Sequence, residues 1–440
     1  MERRLLICGG TVVTMEPGAA PVVEGAVAVE GERIVAVGRA AELLVAFPDA
    51  ERLDAGGGIV MPGLVNTHTH LAMTLLRGAA EDLPLVEWLE QHIWPAERSL
   101  MDADTVALGT RLAVAESLLA GVTCAFDMYF HMDRVAEVAA QAGMRVVVAE
   151  GLIDYPTPSA ATPAQALASQ RRLLESYRHH PLVTPAVAPH APYSVSADYL
   201  VKEAELAEEF NAPLAIHVAE TRWEAETIRR EKGVSPVRYL ADLGILSERT
   251  VAAHCVHVTE EDLDLLAEFD VGIASNPASN LKLGSGVAPL PQMLARGLKV
   301  GLGTDGAASN NTLDLLRDAQ LVALLYKGLT GDPTCLPART VVELATSRGA
   351  AVIGLAHRIG TLAPGKLADI VCLRTDAPHS MPTFDPFAHL AYAARAADVR
   401  HVVVGGRVVV EDGALTTLDV AALHHDVAAS LERLRRAAGI

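Results

Sequence analysis

The stretch Ile59-Val-Met-Pro-Gly-Leu-Val-Asn-Thr67, followed without a break by His68-Thr69-His70, decides the reading of the chain. An apolar run without polar alternation is a strand covered on both faces, as in a parallel sheet enclosed by helices. It ends on two imidazoles spaced two apart, so on an extended backbone both side chains leave the same face. Further runs of this kind follow at Val122 to Met128, Arg145 to Leu152, Val183 to Pro189, Pro213 to Val218, Thr250 to Ala253, Val271 to Ser275 and Lys299 to Thr304, alternating with amphipathic helical stretches. Together they make the eight βα units that close a (β/α)₈ TIM barrel. The first connection is the longest and carries Trp88, Trp94 and Glu97, which predicts a lid or substrate loop over residues 71–100.

Outward from the barrel, both ends of the chain read as β. Leu5 to Ile7, Val12 to Met15, Ala26 to Val29 and Ile34 to Val37 are short β-branched runs broken by glycine turns such as Glu30-Gly31-Glu32. Near the other end, Ala368 to Leu373 is an apolar run, and His401 to Val404 and Arg407 to Val410 flank Gly405-Gly406 as a hairpin. A helix over Asp419 to Ala438 follows. The expected organisation is a composite β-sandwich domain, residues 1–60 and 362–440 with that helix, around a TIM barrel of residues 61–361. Asp54-Ala-Gly-Gly-Gly58 reads as the flexible link into the barrel and Leu362-Ala-Pro-Gly365 as the return.

The 440 residues carry 36 Lys and Arg against 54 Asp and Glu, a net charge of −18. With no run of Lys or Arg longer than two, the chain lacks the positive field that displaces counterions from phosphates, so nucleic acid is excluded as a partner. The first residues reach Gly9-Gly10 before any signal-peptide core or bilayer-spanning length accumulates, so no membrane partner is expected. Cys8, Cys124, Cys255, Cys335 and Cys372 have no paired spacing, which fits a reducing compartment, and a soluble cytoplasmic protein is expected.

Polar residues recur where the strands end: His68 and His70, His190, His217, His254 and Asp305. The carboxyl-terminal rim is where this fold builds active sites. A lone histidine there is most often a packing residue, but five with an aspartate on one rim reverse that reading. His68, His70 and His217 with Asp305 supply three nitrogens and one oxygen and leave a position open for water, the pattern of a catalytic metal site. One Zn²⁺ per subunit suits such donors, with Fe²⁺, Ni²⁺ or Mn²⁺ as alternatives. No lysine on the fourth strand offers a carbamate for a second ion. Cys255, one residue past His254, points away by the period of two. Glu220, three residues beyond His217, stands where a carboxylate can shuttle a proton between water and substrate; an isolated glutamate would be a surface group.

These residues, in this order, resemble the amidohydrolase superfamily over nearly the whole chain. The opening signature is Pro62 to His70. Ile93-Trp-Pro-Ala-Glu97, Pro189-His-Ala-Pro-Tyr193, His217-Val-Ala-Glu-Thr221, Asn276 to Leu283 and Gly303 to Asn311 are together similar to the 5′-methylthioadenosine/S-adenosylhomocysteine deaminases. The resemblance implies zinc ligands at His68, His70, His217 and Asp305 and a proton shuttle at Glu220. It further implies that His254 orients the attacking water while Asp305 helps deprotonate it. Glu97 then accepts hydrogen bonds from ribose, His190 contacts the nucleoside, and Trp88 forms an aromatic wall, while Trp94 reads as lid packing. Fold-level analogy alone suggests a homo-oligomer.

Relatives that take S-adenosylhomocysteine hold its carboxylate with arginines after the third strand, where this chain has Glu150 and no arginine as far as Ser159. A glutamate facing the substrate would repel a carboxylate, so 5′-methylthioadenosine or adenosine is the expected substrate, with Arg171 and Arg172 read as solvated. The expected reaction is hydrolytic deamination of the adenine ring to the matching inosine and ammonia. A triazine, pterin or guanine-like deaminase or dechlorinase of the same subgroup is the competing enzymatic reading. A catalytically dead scaffold is the third, disfavoured because the full ligand set is present.

Overall fold

The computed structural model describes residues 3–438. Five strands open the chain: β1 Arg4–Val12, β2 Val22–Glu30, β3 Arg33–Arg39, β4 Glu51–Asp54 and β5 Ile59–Pro62. The central strands are β6 Leu64–Thr69, β7 Val122–Tyr129, β8 Arg145–Leu152, β9 Val183–Pro189, β10 Leu214–Val218, β11 Thr250–His254, β12 Gly272–Ser275 and β13 Lys299–Leu302. After them come β14 Ile370–Leu373, β15 Val399–Val404, β16 Arg407–Glu411 and β17 Ala414–Leu415, with a helix at Val420–Ala438.

Strands β6 to β13 form one eight-stranded parallel sheet in sequential order, the TIM barrel that the apolar runs predict. Both faces of each strand are covered: on β8, Val147 and Ala149 join the barrel interior while Val146, Val148 and Leu152 pack against the helices. The barrel is shut by a tight seam. The Asp305 amide donates to the His68 carbonyl at 3.0 Å, and the Asn66 side chain exchanges hydrogen bonds with Thr304 at 2.7 and 3.0 Å. A Cβ on Gly303 would lie 2.9 Å from the His68 carbonyl and one on Gly301 would lie 2.5 Å from Thr67 Cγ2, so both positions must be glycine for the ends to meet.

The chain ends share a nine-stranded mixed sheet in the order β17-β16-β15-β14-β5-β1-β2-β3, with β4 paired to β1. The sheet bends until its β3 edge returns to the segment before β14, where Ile34 N bonds Lys366 O at 2.9 Å and Ala368 N bonds Glu32 O at 2.8 Å. Between the two halves lies an apolar core containing Ile7, Val27, Ile34, Ile370 and Val403.

Three local expectations change. The run Ile59 to Thr67 divides at Gly63: β5 pairs with β14 and β1 in the terminal sheet, and only β6 belongs to the barrel. A Cβ at Gly63 would meet Thr123 Oγ1 at 2.0 Å, so the chain crosses between sheets in a single residue. The glycines 56–58 form a hydrogen-bonded turn inside the terminal sheet, with Gly56 N on Asp54 Oδ1 at 2.9 Å and Gly57 N on Gly9 O at 2.6 Å, and do not link to the barrel. Leu5 to Ile7 and Val12 join in one strand, β1, whose register shifts around Gly10 as in a bulge, while Val13 to Met15 lie beyond its end.

Barrel and terminal sheet are fastened by a buried ion pair. Arg145, the first residue of β8, donates from Nε and Nη2 to Asp369 at 2.8 and 3.0 Å and from Nη1 to the Pro181 carbonyl at 2.8 Å. Asp369 also accepts from Gly405 N at 2.9 Å. Removing one partner strands a buried charge, so Arg145→Leu should lower stability by about 3–5 kcal/mol in chemical denaturation, and the double variant with Asp369→Leu should recover part of that loss.

Candidate active site

The strand ends bring the histidines into one cluster. The His68 ring centroid lies 4.9 Å from those of His70 and His217 and 5.6 Å from that of His254. Metal-binding atoms of His68, His70 and Asp305 lie within 4.8 Å of one another, as do those of His68, His217 and His254. The outer nitrogens are committed elsewhere. His70 Nδ1 faces the Met128 carbonyl and His217 Nδ1 lies 2.7 Å from the His190 carbonyl. A carbonyl can only accept, so both Nδ1 atoms carry a proton and both Nε2 atoms point inward.

Asp305 divides its oxygens. Oδ1 lies 3.1 Å from His70 Nε2 and 3.5 Å from His68 Nε2, with the Gly306 amide at 2.8 Å. Oδ2 accepts from Ser279 Oγ at 2.6 Å and Ser309 Oγ at 2.9 Å. Burial pushes the His68 imidazole down to about 4. It works the same way on His70, but the Asp305 hydrogen bond and charge outweigh it and hold that ring up at about 9. His68 Nε2 is buried without a hydrogen-bond partner. An orphaned nitrogen among inward-facing Nε2 atoms and a fixed carboxylate oxygen is a donor set that fits a divalent cation of the zinc type, and no thiolate contributes.

Glu220 comes to the same cavity through a strained turn. Ala219, His254 and Asp305 all adopt positive φ, at 50°, 73° and 60°, although none is glycine. The turn is held by Glu224, whose buried carboxylate accepts from the Ala219 and Glu220 amides at 2.8 and 2.9 Å. Glu220 accepts from Ser285 Oγ at 3.1 Å and lies 3.7 Å from His254 Nε2. Burial raises its carboxyl pKa, against the lowering charge of His254. His254 Nδ1 in turn meets Asn280 Oδ1 at 2.8 Å.

Glu97 stands on the helix Trp94–Leu100, buried, accepting from the Tyr129 hydroxyl at 2.6 Å. Burial lifts it to about 7 despite that bond. His190 lines the cavity with its Nδ1 on Ser194 Oγ at 2.7 Å. Trp88 is also buried in the lining, its indole N–H donating to the Ala80 carbonyl at 3.2 Å.

Trp94, read as packing, lines the cavity too. Glu150 overturns its expectation. It lies on the helix-facing side of β8, accepts from Met132 N at 2.9 Å and from Ser159 Oγ, and opens onto an outer cleft with His131 and Arg172. A charge there exerts no direct repulsion on a substrate carboxylate, so the argument against S-adenosylhomocysteine from Glu150 fails. Arg171 pairs with Glu209 on the surface as a solvated residue, and Cys255 packs outside the barrel.

Sequence reasoning missed Tyr129, Ser279, Ser309, Ser285, Asn280 and Glu224. The last was detectable: Thr221-Arg-Trp-Glu224 has the spacing of a capping box, and the Thr221 side chain accepts from Glu224 N at 3.2 Å.

A barrel whose rim gathers imidazoles, a buried aspartate and two buried glutamates around one cavity has the framework of a metal-dependent hydrolase. The chain belongs to the amidohydrolase family: residues 59–409 match that family, and residues 25–50 match an imidazolonepropionase-like composite domain of bacteria. It is 46% identical over 416 residues to a 5-methylthioadenosine/S-adenosylhomocysteine deaminase of Syntrophobacter fumaroxidans, covering 94% of this chain and 95% of that protein. A protein of the same description from Nitratidesulfovibrio vulgaris is 44% identical, over 95% of each. Among solved structures, an adenosine deaminase from Xanthomonas campestris with bound zinc superposes with a TM-score of 0.96 at 38% identity over 98% of both chains. An atrazine chlorohydrolase from Arthrobacter aurescens, complexed with zinc, gives 0.90 at 27% identity over 97% of this chain and all of that one.

The two serines on Asp305 generate a test. Losing the bonds that fix a ligand's orientation costs roughly 10- to 100-fold in metal affinity, so the Ser279→Ala/Ser309→Ala double variant should bind added Zn²⁺ that much more weakly in competition with a chromophoric chelator. Unchanged affinity would show that these hydroxyls do not set the carboxylate.

Proposed function

We propose that the protein is a hydrolytic deaminase of the adenine ring, acting on 5′-methylthioadenosine and related adenosines and releasing the matching inosine and ammonia. The observation that carries this reading is the placement of two buried glutamates on one cavity: Glu220 beside the histidine cluster, and Glu97 beyond it on Tyr129. An adenosine needs both, a proton carrier at the ring and an acceptor for the ribose hydroxyls. The curated relatives, 40–46% identical over most of the chain, support the same reading.

We assign His68, His70, His217 and Asp305 as the ligands of one Zn²⁺ per subunit. Bound there, the ion would lower the pKa of water and so supply hydroxide at neutral pH. His254, 3.7 Å from Glu220, would orient the attacking oxygen, and Asp305 would help take its proton. As C6 becomes tetrahedral, Glu220 delivers a proton to N1 and then assists departure of ammonia. Its raised affinity for protons suits that work. Glu97 accepts from the ribose hydroxyls, His190 contacts the nucleoside, and Trp88 walls the ring. Five cysteines without a disulfide fit a reducing compartment, and we place the enzyme in the cytoplasm. Among the described residues no helix is long and apolar enough to cross a membrane.

Loss of absorbance near the adenine maximum should follow addition of 5′-methylthioadenosine or adenosine to zinc-loaded protein. No change with these or with S-adenosylhomocysteine would remove the reading. Glu220→Gln should keep its metal and lose roughly 10²- to 10⁴-fold in kcat, the usual weight of a positioned acid–base group.

Glu97 yields a pH prediction. A carboxyl at about 7 is increasingly protonated as the pH falls from 8 to 6, which removes the anionic acceptor for ribose. Inosine affinity should therefore weaken on acidification in a calorimetric titration, and Glu97→Gln should bind more weakly throughout and lose that dependence.

A further inference from the structure

The helix Val420–Ala438 joins no sheet and, among the described residues, supplies none to the cavity lining, yet it lies along the segment that brings Glu97 there. It runs antiparallel to the helix Ala103–Leu119. Leu423 is buried with Leu108 and Ala115, Asp426 Oδ2 meets Arg111 Nη1 at 3.2 Å, and Arg433 reaches back to Thr105 and Asp102. The later turns therefore arrive at the helix Trp94–Leu100 and pack against it, with Leu434 buried in the same apolar core as Leu100 and Met101.

Arg433 acts at the turn where the Glu97 helix ends. Its Nη2 donates to Thr105 Oγ1 at 2.8 Å, and its Nη1 lies 3.6 Å from Asp102 Oδ2. Asp102 accepts from Thr105 N through Oδ1 at 2.8 Å, so the same carboxylate caps the next helix and faces the guanidinium. The Asp102 amide donates to the Leu100 carbonyl at 2.8 Å, and the Met101 amide donates to the Glu97 carbonyl at 2.9 Å. An unbroken run of contacts thus leads from Arg433 to the backbone of Glu97. The earlier part of the same connection is held separately, where Glu81 meets Lys282 Nζ at 2.6 Å and Asn311 Nδ2 at 2.8 Å.

We propose that Arg433 is a positioning residue for ribose recognition: by clamping the Met101–Asp102 turn, the C-terminal helix sets where Glu97 stands in the cavity. The inference rests on the deaminase reading above, in which Glu97 meets the ribose hydroxyls. The Arg433 side chain is 51% exposed, so solvent screens its charge. Contacts of that kind change an equilibrium by at most about a factor of five. The effect falls on ribose binding and spares proton transfer, because the Glu220 turn is fixed independently by Glu224.

In the full-length, zinc-loaded enzyme, Arg433→Ala should raise KM for adenosine roughly 3- to 5-fold with kcat nearly unchanged. Arg433→Lys, which keeps a cation for Asp102, should recover part of that rise. Asp102→Asn, which keeps the cap and removes the charge, should reproduce part of it. Two comparisons separate positioning from general loosening: the rise should disappear in a Glu97→Ala background and with 2′,3′-dideoxyadenosine, which offers Glu97 no hydroxyl. Asp426→Ala cuts the tie of the same helix to Arg111, away from the turn, and should leave KM as it was. An unchanged KM in Arg433→Ala, an equal rise with the dideoxynucleoside, or a fall in kcat as large as the rise in KM would overturn the assignment and leave the deaminase reading in place. Hydrogen exchange reads the clamp without turnover: amides of residues 94–102 should exchange faster in Arg433→Ala, and unchanged exchange would overturn the clamp. Faster exchange in a protein that turns over no adenosine would keep the clamp and remove its role in ribose recognition together with the deaminase reading.

Discussion

Everything at the rim depends on the seam between the first and last barrel strands. His68 comes from β6 and His70 from just past its end, whereas Asp305 arrives after seven further strands, and they share one cavity only because the barrel closes. The seam is a backbone bond from Asp305 to His68 and a side-chain exchange between Asn66 and Thr304. Gly301 and Gly303 let the strands approach. Fold and chemistry are thereby the same constraint: the hydrogen bond that shuts the barrel runs between two of the residues assigned to the metal. A bound ion would draw together groups that the seam has already placed, so its binding energy would add to the stability of closure.

A site made this way must tolerate buried charge and backbone strain. Asp305 is buried, yet the His68 and His70 imidazoles hold its carboxyl well below the ordinary carboxylate range against the opposing effect of burial, while two hydroxyls and one amide fix its oxygens. Strain is anchored in the same manner. The positive φ at Ala219 persists because Glu224 accepts from that residue and the next, and the one at His254 is accompanied by a bond from its ring to Asn280. Each group proposed to handle a proton therefore has a second residue fixing its position, which keeps the reorganisation needed during reaction small.

The difference between what was legible in the sequence and what was not follows from parity. Eight apolar runs show a barrel, and His-x-His fixes its own facing because the two imidazoles are two apart. Arg145 to Leu152 carries no such marker. It is buried on both faces, so nothing in the string tells whether Glu150 or Gly151 looks inward, and the structure turns Gly151 to the cavity. Ile59 to Thr67 fails for a related reason: a strand in the terminal sheet and a strand in the barrel are equally apolar, and only Gly63 marks the passage. The serines on Asp305 lay inside motifs already singled out but were not recognised, since hydroxyls have no periodic signature.

The cavity around the histidines and a second one that adjoins it at Trp94 and Glu97, lined by Tyr155 and Trp223, also differ in what carries them. Ligands and proton carriers come from strand ends and the turns just beyond, fixed by barrel registry, whereas Tyr155 is on a loop and Trp223 on the second position of a helix. Loops can change without disturbing the sheet, so substrate choice can vary while the chemistry is retained. The likeness in fold, at 27% identity, to an atrazine chlorohydrolase illustrates that freedom. Within this chain the separation has one limit. Trp223 is two residues from Thr221, whose hydroxyl accepts from the Glu224 backbone, and Glu224 in turn holds the Glu220 turn. Trp223 and Glu224, the residue that fixes the proton carrier, thus stand side by side on the first turn of one helix.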